Sequence, residues 1–312
     1  MGSDRHYPEE APVQTQSVEG FWLEKTLVTN TAFAKFVAAT GYVTFAEKAP
    51  NAQDYPGADP ALLQAGSLVF VPPKHNHFVN FSDVSNWWQF VIGANWQHPQ
   101  GAASNLDGLS THPVVHIAYE DALAYAMWAK KSLPTEAEWE YAAKGGLENT
   151  EFAWGHDFNP KGQRMANTWH GEFPSENLAV GGFAGTSAVA HFEQNGYGLY
   201  DMIGNVWEWT CDWYSLRRAD TNDSAAVSAC CAADTEQKLI AASIDANLPE
   251  MPVPRRVLKG GSFLCAPNYC RRYRPAARIP QPIDTTTNHV GFRCVVRGAQ
   301  QRVHEVTVSV PS

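Results

Sequence analysis

The chain has 312 residues, 44% of them apolar, and its 23 basic and 32 acidic side chains give a formal net charge of -9. The length allows two domains, but no linker-like stretch divides the chain, so one large domain with a substantial core is equally expected. The negative charge argues against a phosphate backbone or an anionic membrane surface, so we expect no nucleic-acid or membrane partner.

Two helix candidates lie in the first 130 residues. The first begins at the cap candidates Thr29 and Asn30 and ends at Gly41. The second is predicted from about residue 120 to residue 130. Its inward face is expected to carry Leu123, Ala124, Met127 and Trp128.

The segment between these helices, about residues 42 to 109, is rich in Pro, Asn, Asp and aromatic residues. Within it Leu68–Val71 favours a strand, and just after it His112–His116 does the same. Such long irregular runs are uncommon in layered domains. We therefore expect a fold held by aromatic packing more than by strand ladders.

The clearest local signal is the stretch Leu133–Tyr141. Thr135 and Glu138 form a Ser/Thr-x-x-Glu capping box that opens a third helix, and Gly145 closes it. This explanation is purely structural, and we assign the stretch no chemistry.

The later part of the chain shows weaker patterns. Residues 152 to 198 are turn-rich, and residues 216 to 254 are interpreted as a surface excursion. The stretch Val303–Val310 alternates like an edge strand, and we assign it no role.

Two observations predict the cellular compartment: the sequence lacks membrane-spanning and signal-peptide patterns, and its cysteines do not suggest disulfides. No apolar run approaches the roughly 20 residues that span a bilayer, and the first thirty residues lack a signal-peptide pattern. Six cysteines, at positions 211, 230, 231, 265, 270 and 294, are not typical of a disulfide scaffold in a chain of this size. We expect a cytoplasmic protein whose cysteines are thiols or metal ligands.

Cys265 and Cys270 stand five positions apart behind the Gly260–Ser262 turn. Two such thiolates can bind one soft metal ion, or attack and resolve a disulfide, although a pair at this spacing can also simply pack in a core. A zinc site needs two further ligands, and no His or acidic residue lies closer in sequence than Asp284. Two thiolates without other donors suit Cu(I).

The stretch Arg256–Arg278 resembles the active-site segment of the formylglycine-generating enzymes, the oxidases that mature sulfatases. The matching motifs are Gly260-Gly261-Ser262, Cys265, Tyr269-Cys270, Arg272-Tyr273-Arg274, Ala276-Ala277-Arg278 and Gly291-Phe292-Arg293-Cys294. The resemblance extends from about Pro8 to Val296.

The resemblance implies an α+β fold: a single irregular domain related to C-type lectins, with low regular secondary structure. The sulfatase-modifying-factor domain would span residues 21–296. Residues 1–20 would form an N-terminal segment, expected to lack the first strand of the fold, and residues 297–312 a C-terminal tail.

The implied activity is copper-dependent oxidation by O2 of the cysteine in a Cys-x-Pro-x-Arg motif to formylglycine. The partners would be an unfolded or nascent sulfatase polypeptide and a thiol reductant, and the enzyme would be a monomer. Cys265 and Cys270 would bind Cu(I), and the substrate thiolate would join as a third sulfur ligand. Oxygen activated there would remove a hydrogen from the substrate Cβ, and the resulting thioaldehyde would hydrolyse.

Three further positions match the family's active-site region. Ser262 and Tyr269 would line the oxygen and copper pocket as catalytic residues, and their structural alternatives are a turn residue and a packed ring. Trp207 would wall the substrate groove, and its alternative is a core residue.

Calcium is the second implied cofactor. One loop matches well, through Asp201, the carbonyl groups of Met202, Gly204 and Val206, and the Glu208 carboxylate. In the other loop Asn167, Thr168 and Phe183 match, but Gly181 replaces the expected aspartate. We therefore predict one firm calcium site and a second that is weakened or absent. The alternative for Asp201 is a solvated loop acid.

The chain departs from the family pattern at Ala266, where a His is frequent, and at Gln281–Asp284. Cys294 falls where some relatives form a disulfide, but its partner position here is Ala143, so we expect a buried free thiol. Two rival functions stay open. One is a non-catalytic, lectin-like binding module of this fold, and the other is a different oxidase of the superfamily, such as an iron-dependent sulfoxide synthase.

Overall fold

The computed structural model describes residues 1–53, 55, 57, 59, 60, 63–73, 80–215, 229–250 and 252–298. The helices are α1 (Asn30–Thr40), α2 (Tyr119–Trp128), α3 (Glu136–Lys144) and α4 (Ala229–Ser243). The strands are β1 (Phe21–Leu23), β2 (Gly66–Phe70), β3 (Trp88–Ile92), β4 (Trp207–Trp213), β5 (Arg255–Lys259), β6 (Arg278–Pro282), β7 (Val290–Gly291) and β8 (Val295–Arg297). The remainder is mostly turns and irregular chain. This mixture of helix and sheet with little regular structure confirms the predicted α+β class.

The strands form three small sheets. β1 pairs with β8 and β2 with β3, both antiparallel, and the largest sheet has the order β6-β5-β4-β7. In that sheet Lys259, the last residue of β5, lies opposite Arg278, the first residue of β6. The loop 260–277, which carries both candidate cysteines, therefore leaves and re-enters the sheet at the same end.

Helices α1 and α3 are capped as the sequence predicts. Thr29 accepts a hydrogen bond from the Ala32 N–H, and Gly41 ends α1 in the left-handed conformation. At α3 the Glu138 N–H donates to Thr135 Oγ1 over 3.1 Å, and the Thr135 N–H donates to Glu138 Oε2 over 2.7 Å. This reciprocal pair satisfies two backbone donors that a helix start leaves open.

Helix α2 lies close to its predicted range, but its predicted inward face is only partly right: Leu123 and Ala124 are half-buried, whereas Met127 and Trp128 are exposed. Met127 is 51% exposed and Trp128 41% exposed, whereas Ala122 and Tyr125 are buried. The Tyr125 ring lies 5.9 Å from the ring of Phe33 on α1. A small alanine beside a tyrosine lets the two helices approach closely, and this contact turns the larger side chains toward solvent.

The strand predicted at 112–116 does not form. The segment is buried, but its backbone bonds to loops: the Val114 N–H donates to the Val28 carbonyl, and the His116 N–H donates to the Thr287 carbonyl. His116 itself has a positive φ of 62°. The apolar, β-branched run therefore indicates burial and not a strand, because its backbone hydrogen-bond partners lie in irregular segments.

The predicted surface excursion at 216–254 contains helix α4. Its described side chains, from residue 235 onward, are mostly exposed, and Glu236 accepts a hydrogen bond from Trp213 Nε1 over 3.4 Å. The helix is missed in the sequence because it packs along a narrow edge and so needs little apolar patterning. The side chains of Cys230 and Cys231 and the predicted edge strand at 303–310 lie outside the described residues. None of the helices described is both long and apolar enough to cross a membrane.

Aromatic rings fill the main core, as predicted. Phe33 lies edge-on to Trp96 and to Phe36, each with ring centroids 5.3 Å apart, and Tyr125 meets Phe292 at the same distance. Edge-to-face contacts of this kind add stability beyond the buried area alone.

Buried ion pairs link the helices to the sheet. Lys259 Nζ lies 3.1 Å from Glu140 Oε2, and Arg278 Nε lies 3.0 Å from Glu136 Oε1, so both basic residues at the base of the cysteine loop are paired with carboxylates of α3. A buried charge is tolerated only when it is paired and hydrogen-bonded. The loop is therefore anchored to α3 as well as to its own sheet.

The N-terminal segment packs onto the cysteine loop. Glu10 is fully buried and binds both terminal guanidinium nitrogens of Arg274, with Arg274 Nη1 2.7 Å from Glu10 Oε2. The neighbouring Glu9 binds Arg272 Nη2 over 2.6 Å. Residues 1–20 are thus integrated into the fold through residues more than 260 positions away.

We expect Glu10→Gln to lower the free energy of unfolding by roughly 3–5 kcal/mol, because it leaves the buried Arg274 guanidinium without its counter-charge. Urea unfolding measures this change. Glu120→Gln is the matched control: Glu120 pairs with Lys48 at the surface, where loss of the pair costs below about 1 kcal/mol. Equal effects of the two substitutions would contradict the buried-pair argument.

A buried histidine makes the fold sensitive to acid. His116 is fully buried, with Nδ1 2.6 Å from Ser67 Oγ and Nε2 3.0 Å from the Pro99 carbonyl oxygen. The carbonyl can only accept, so Nε2 carries the proton and Nδ1 accepts from the hydroxyl. Burial lowers the pKa of His116 to about 4.

The unfolded chain binds a proton at this histidine near pH 6.5 and the folded chain only near pH 4, so stability is complete above pH 6.5 and falls as the pH falls toward 4. From pH 7 to pH 5 this single group removes about 2 kcal/mol of the unfolding free energy. His116→Asn, which tolerates the positive φ, should remove that part of the slope. Unfolding curves at the two pH values test this, and parallel slopes for the variant and the parent would contradict it.

Candidate active site

Two glycines shape the start of the cysteine loop. Gly260 and Gly261 have φ of 97° and 75°, in the region that side chains disfavour. A Cβ at Gly261 would lie 2.9 Å from the Arg272 carbonyl oxygen, and one at Gly260 would lie 3.0 Å from the Trp139 ring. The loop can fold back on itself only because these positions carry no side chain.

The fold brings the two predicted cysteines together. Cys265 Sγ and Cys270 Sγ are 3.3 Å apart, which is well beyond a disulfide length of about 2.05 Å, and both are free thiols. Cys265 is 2% exposed, whereas Cys270 is half-buried. The Ser262 N–H donates to Cys265 Sγ over 3.4 Å. The site therefore has a buried inner thiol, Cys265, and a half-buried outer one, Cys270.

The two thiols differ in acidity. A hydrogen bond from the Cys265 thiol, assisted by Arg272, lowers the pKa of Cys270 to about 6 against the opposing effect of burial. Burial, followed by the hydrogen bond with Cys270, raises the pKa of Cys265 well above its ordinary value. The pair therefore favours a single shared negative charge, with the outer sulfur the more acidic of the two.

The guanidinium beside this thiolate is held by the N-terminal segment. Arg272 Nη1 lies 4.0 Å from Cys270 Sγ, and Glu9 Oε1 accepts from Arg272 Nε over 3.1 Å and from Nη2 over 2.6 Å. The guanidinium also stacks over the Tyr7 ring at 3.8 Å. Glu9 and Tyr7 are missed by sequence reasoning, because a contact across 263 positions leaves no periodic or spacing signal.

Ser262 and Tyr269 flank the thiols. Ser262 is fully buried, and its Oγ accepts from the Leu264 N–H over 3.2 Å. Tyr269 is 36% exposed, and its ring stacks on Phe173 at 4.2 Å. Burial raises the pKa of Tyr269 to about 12, so its hydroxyl stays protonated at neutral pH.

Trp207 does not have the exposure expected of a groove wall. It is 3% exposed and belongs to the central hydrophobic cluster that also contains Cys265. Its position at the start of the central strand β4 turns the ring inward. We therefore interpret Trp207 as a core residue beneath the site.

The donor set fits the predicted copper ion. In the described part of the chain no group of three or more His, Cys, Asp or Glu side chains could hold a metal ion. The cysteine pair thus offers two soft donors and no others, which is too few for tetrahedral zinc but suits Cu(I). The residues that would hold the ion are Cys265 and Cys270.

The first predicted calcium loop fits in part. Asp201 is buried, burial raises its pKa, and its Oδ2 accepts from the Ala190 N–H over 2.8 Å. The Glu208 carboxylate, however, is bound by Arg293, with Nε 2.7 Å from Oε2 and Nη2 2.8 Å from Oε1. Trp139 Nε1 donates to the same Oε2 over 2.9 Å. Glu208 therefore already has a cation, and Asp201 is the carboxylate that a calcium ion would neutralise.

The second predicted calcium loop does not fit. The Asn167 carbonyl accepts from the Asn205 N–H over 2.8 Å, and the Thr168 carbonyl accepts from Arg164 Nη2 over 3.3 Å. Phe183 packs with its ring 4.7 Å from His191, and Gly181 supplies no carboxylate. Without an acidic ligand this loop lacks the charge that calcium sites use.

Cys294 is a buried free thiol, as predicted, and Cys211 is also free. Burial raises the pKa of both thiols, so neither competes as a nucleophile at neutral pH.

In the reduced, metal-free protein we expect iodoacetamide to modify Cys270 before Cys265, with a rate that rises through an inflection near pH 6. Arg272→Gln should move the inflection to higher pH, because it removes the charge that favours the thiolate. Arg271→Gln is the matched control, since that exposed side chain pairs with Glu151 instead. Peptide mapping by mass spectrometry gives the order of labelling, and labelling of Cys265 first would contradict the assignment.

Comparison with known proteins shows the family to which the chain belongs. The chain is 51% identical to the formylglycine-generating enzyme of Mycobacterium tuberculosis over 95% of its length and 93% of the relative's, and 41% identical to that of Thermomonospora curvata over 92% and 86%. PvdO from Pseudomonas aeruginosa shares the fold, with a TM-score of 0.56 at 20% identity over 95% of this chain and 89% of that one. Residues 1–298 match the sulfatase-modifying factor enzyme 1-like domain, and the chain belongs to that family.

Proposed function

We propose that this protein oxidises the cysteine of a Cys-x-Pro-x-Arg segment in an unfolded or nascent sulfatase to formylglycine, with O2 as oxidant and Cu(I) as cofactor. The observation that carries the proposal is the pair of free thiols 3.3 Å apart, the inner residue buried and the outer one half-buried, in a chain that is similar to formylglycine-generating enzymes.

The reaction balances with a thiol reductant. One substrate cysteine, one O2 and two reductant thiols give the aldehyde, hydrogen sulfide, one disulfide and one water. The substrate Cβ–S bond breaks and a C=O bond forms. The substrate carbon and the reductant thiols are oxidised, and O2 is reduced.

Cu(I), held by Cys265 and Cys270, would supply the activation of O2 and a binding position for the substrate sulfur. The remaining tasks belong to the protein. The Arg272 guanidinium, fixed by Glu9, favours the thiolate of Cys270 and so prepares the outer ligand at neutral pH. The protonated Tyr269 hydroxyl is available as a donor for a reduced oxygen species, and Ser262 fixes the turn before the inner thiol.

An aromatic surface beside the thiols suits the substrate's proline. Phe81 is 46% exposed, and its ring stacks on that of Tyr269 at 5.8 Å. This pair offers an apolar face next to Cys270. Glu172 is an exposed carboxylate that accepts a hydrogen bond from Asn268 of the cysteine loop over 3.0 Å, and it has the charge to pair with the substrate arginine.

Incubation of the copper-loaded protein with O2, a thiol reductant and a Cys-x-Pro-x-Arg peptide should convert the peptide cysteine to an aldehyde, seen by mass spectrometry as loss of the thiol. Cys265→Ser and Cys270→Ser should each reduce the rate at least a hundredfold, because each removes one of only two metal donors. Cys211→Ser is the control and should retain activity.

Two outcomes would contradict the proposal. Conversion that survives either active-site substitution would exclude the assigned roles. No conversion by a sample with one bound copper per chain would favour the non-catalytic binding module instead.

A further inference from the structure

One half-buried basic residue, Arg164, has no role in the proposed chemistry. Arg164 lies in the turn-rich segment before the second predicted calcium loop, and two of its guanidinium nitrogens, Nε and Nη1, are buried without a hydrogen-bond partner among the described residues. Its third nitrogen, Nη2, donates to the carbonyl groups of Ala166 and Thr168 over 3.4 Å and 3.3 Å. A cation is therefore bound by backbone oxygens of this loop.

The position of this guanidinium coincides with the missing acidic ligand. A Cβ placed on Gly181 would lie only 2.8 Å from Arg164 Nη1, so the space that an acidic side chain at this position would enter is filled by the guanidinium. Gly181 also has a φ of 95°, which disfavours any side chain. The glycine and the arginine thus fit each other.

The groups around Arg164 leave no place for a second cation beside the guanidinium. No carboxylate lies within ion-pair distance of Arg164 in the described part of the chain. Its charge faces the carbonyl oxygens of Ala166 and Thr168 and the ring of Phe192, whose centroid is 6.0 Å away. A calcium ion placed at the same carbonyls would lie next to a like charge and would have no carboxylate ligand, both of which oppose binding.

We propose that the Arg164 guanidinium takes the place of the second calcium ion, so that the loop from residue 164 to residue 183 is held by a built-in cation and needs no metal. The family resemblance places Thr168 in a calcium site, but here its carbonyl oxygen accepts a hydrogen bond from Arg164. This inference does not rest on the proposed oxidase activity, and its test does not use activity.

Calcium counting tests the inference directly. The full chain is freed of metal with a chelator and titrated with Ca²⁺ by isothermal calorimetry, as the parent and as Asp201→Asn. We expect Asp201→Asn to bind no calcium in the micromolar range, because the one carboxylate left for an ion is removed. The parent should bind no more than one calcium ion per chain. Two calcium ions per parent chain would overturn the proposal, because the second ion would need the ligands of the second loop.

Thermal melting tests the role of the guanidinium itself. In excess chelator, Arg164→Ala should lower the melting temperature by roughly 3 to 6 °C, because two charge-assisted hydrogen bonds are lost. Arg164→Lys should recover part of the loss, since it restores a cation, and the exposed Arg5→Ala should change nothing. A melting temperature of Arg164→Ala equal to that of the parent would overturn the proposal, as would an Arg164→Lys variant no more stable than Arg164→Ala.

Discussion

The pairing of Lys259 with Arg278 at the end of the central sheet is the constraint on which the site depends. It brings the two ends of an eighteen-residue loop side by side, so that the loop must fold back on itself above the sheet. Both residues are also paired with carboxylates of α3, which prevents the loop base from separating. With the base fixed, the turn at Gly260 and Gly261 determines where Cys265 lies, and the return toward Arg272 determines where Cys270 meets it.

A second feature of the architecture is its use of arginine as an internal tie. Arg274, Arg278 and Arg293 are each buried against a carboxylate, and each joins segments that are far apart in sequence. Such pairs do little for net stability compared with apolar packing, but they are costly to break, and they specify which segments lie together. Arg272 differs from these three, because it divides its interactions between Glu9 and the sulfur of Cys270. Arginine–carboxylate pairs thus organise the fold, and one of them also favours the thiolate form of Cys270.

At both predicted calcium loops an arginine side chain binds a group that a calcium ion was expected to bind: Arg293 neutralises Glu208, and Arg164 binds the carbonyl of Thr168. Loops without regular hydrogen-bond ladders need some other partner for their carbonyl groups. A guanidinium provides several donors in one plane, and it is covalently attached, so the loop is held whatever the metal concentration. Of the two predicted calcium loops, the one with Asp201 keeps a buried carboxylate that a divalent ion would neutralise.

The sequence alone determined the features that depend on neighbours within a few positions. The caps of α1 and α3, the glycine turn and the close spacing of Cys265 and Cys270 are local, because a capping bond or a tight turn involves residues three to five apart. Tertiary structure alone decided the inward face of α2, the burial of Trp207, the contact of Glu9 with Arg272 and the place of Arg164 beside Gly181. Each of these depends on which distant surface fills the available space, and no pattern along the chain records a contact made across tens or hundreds of residues.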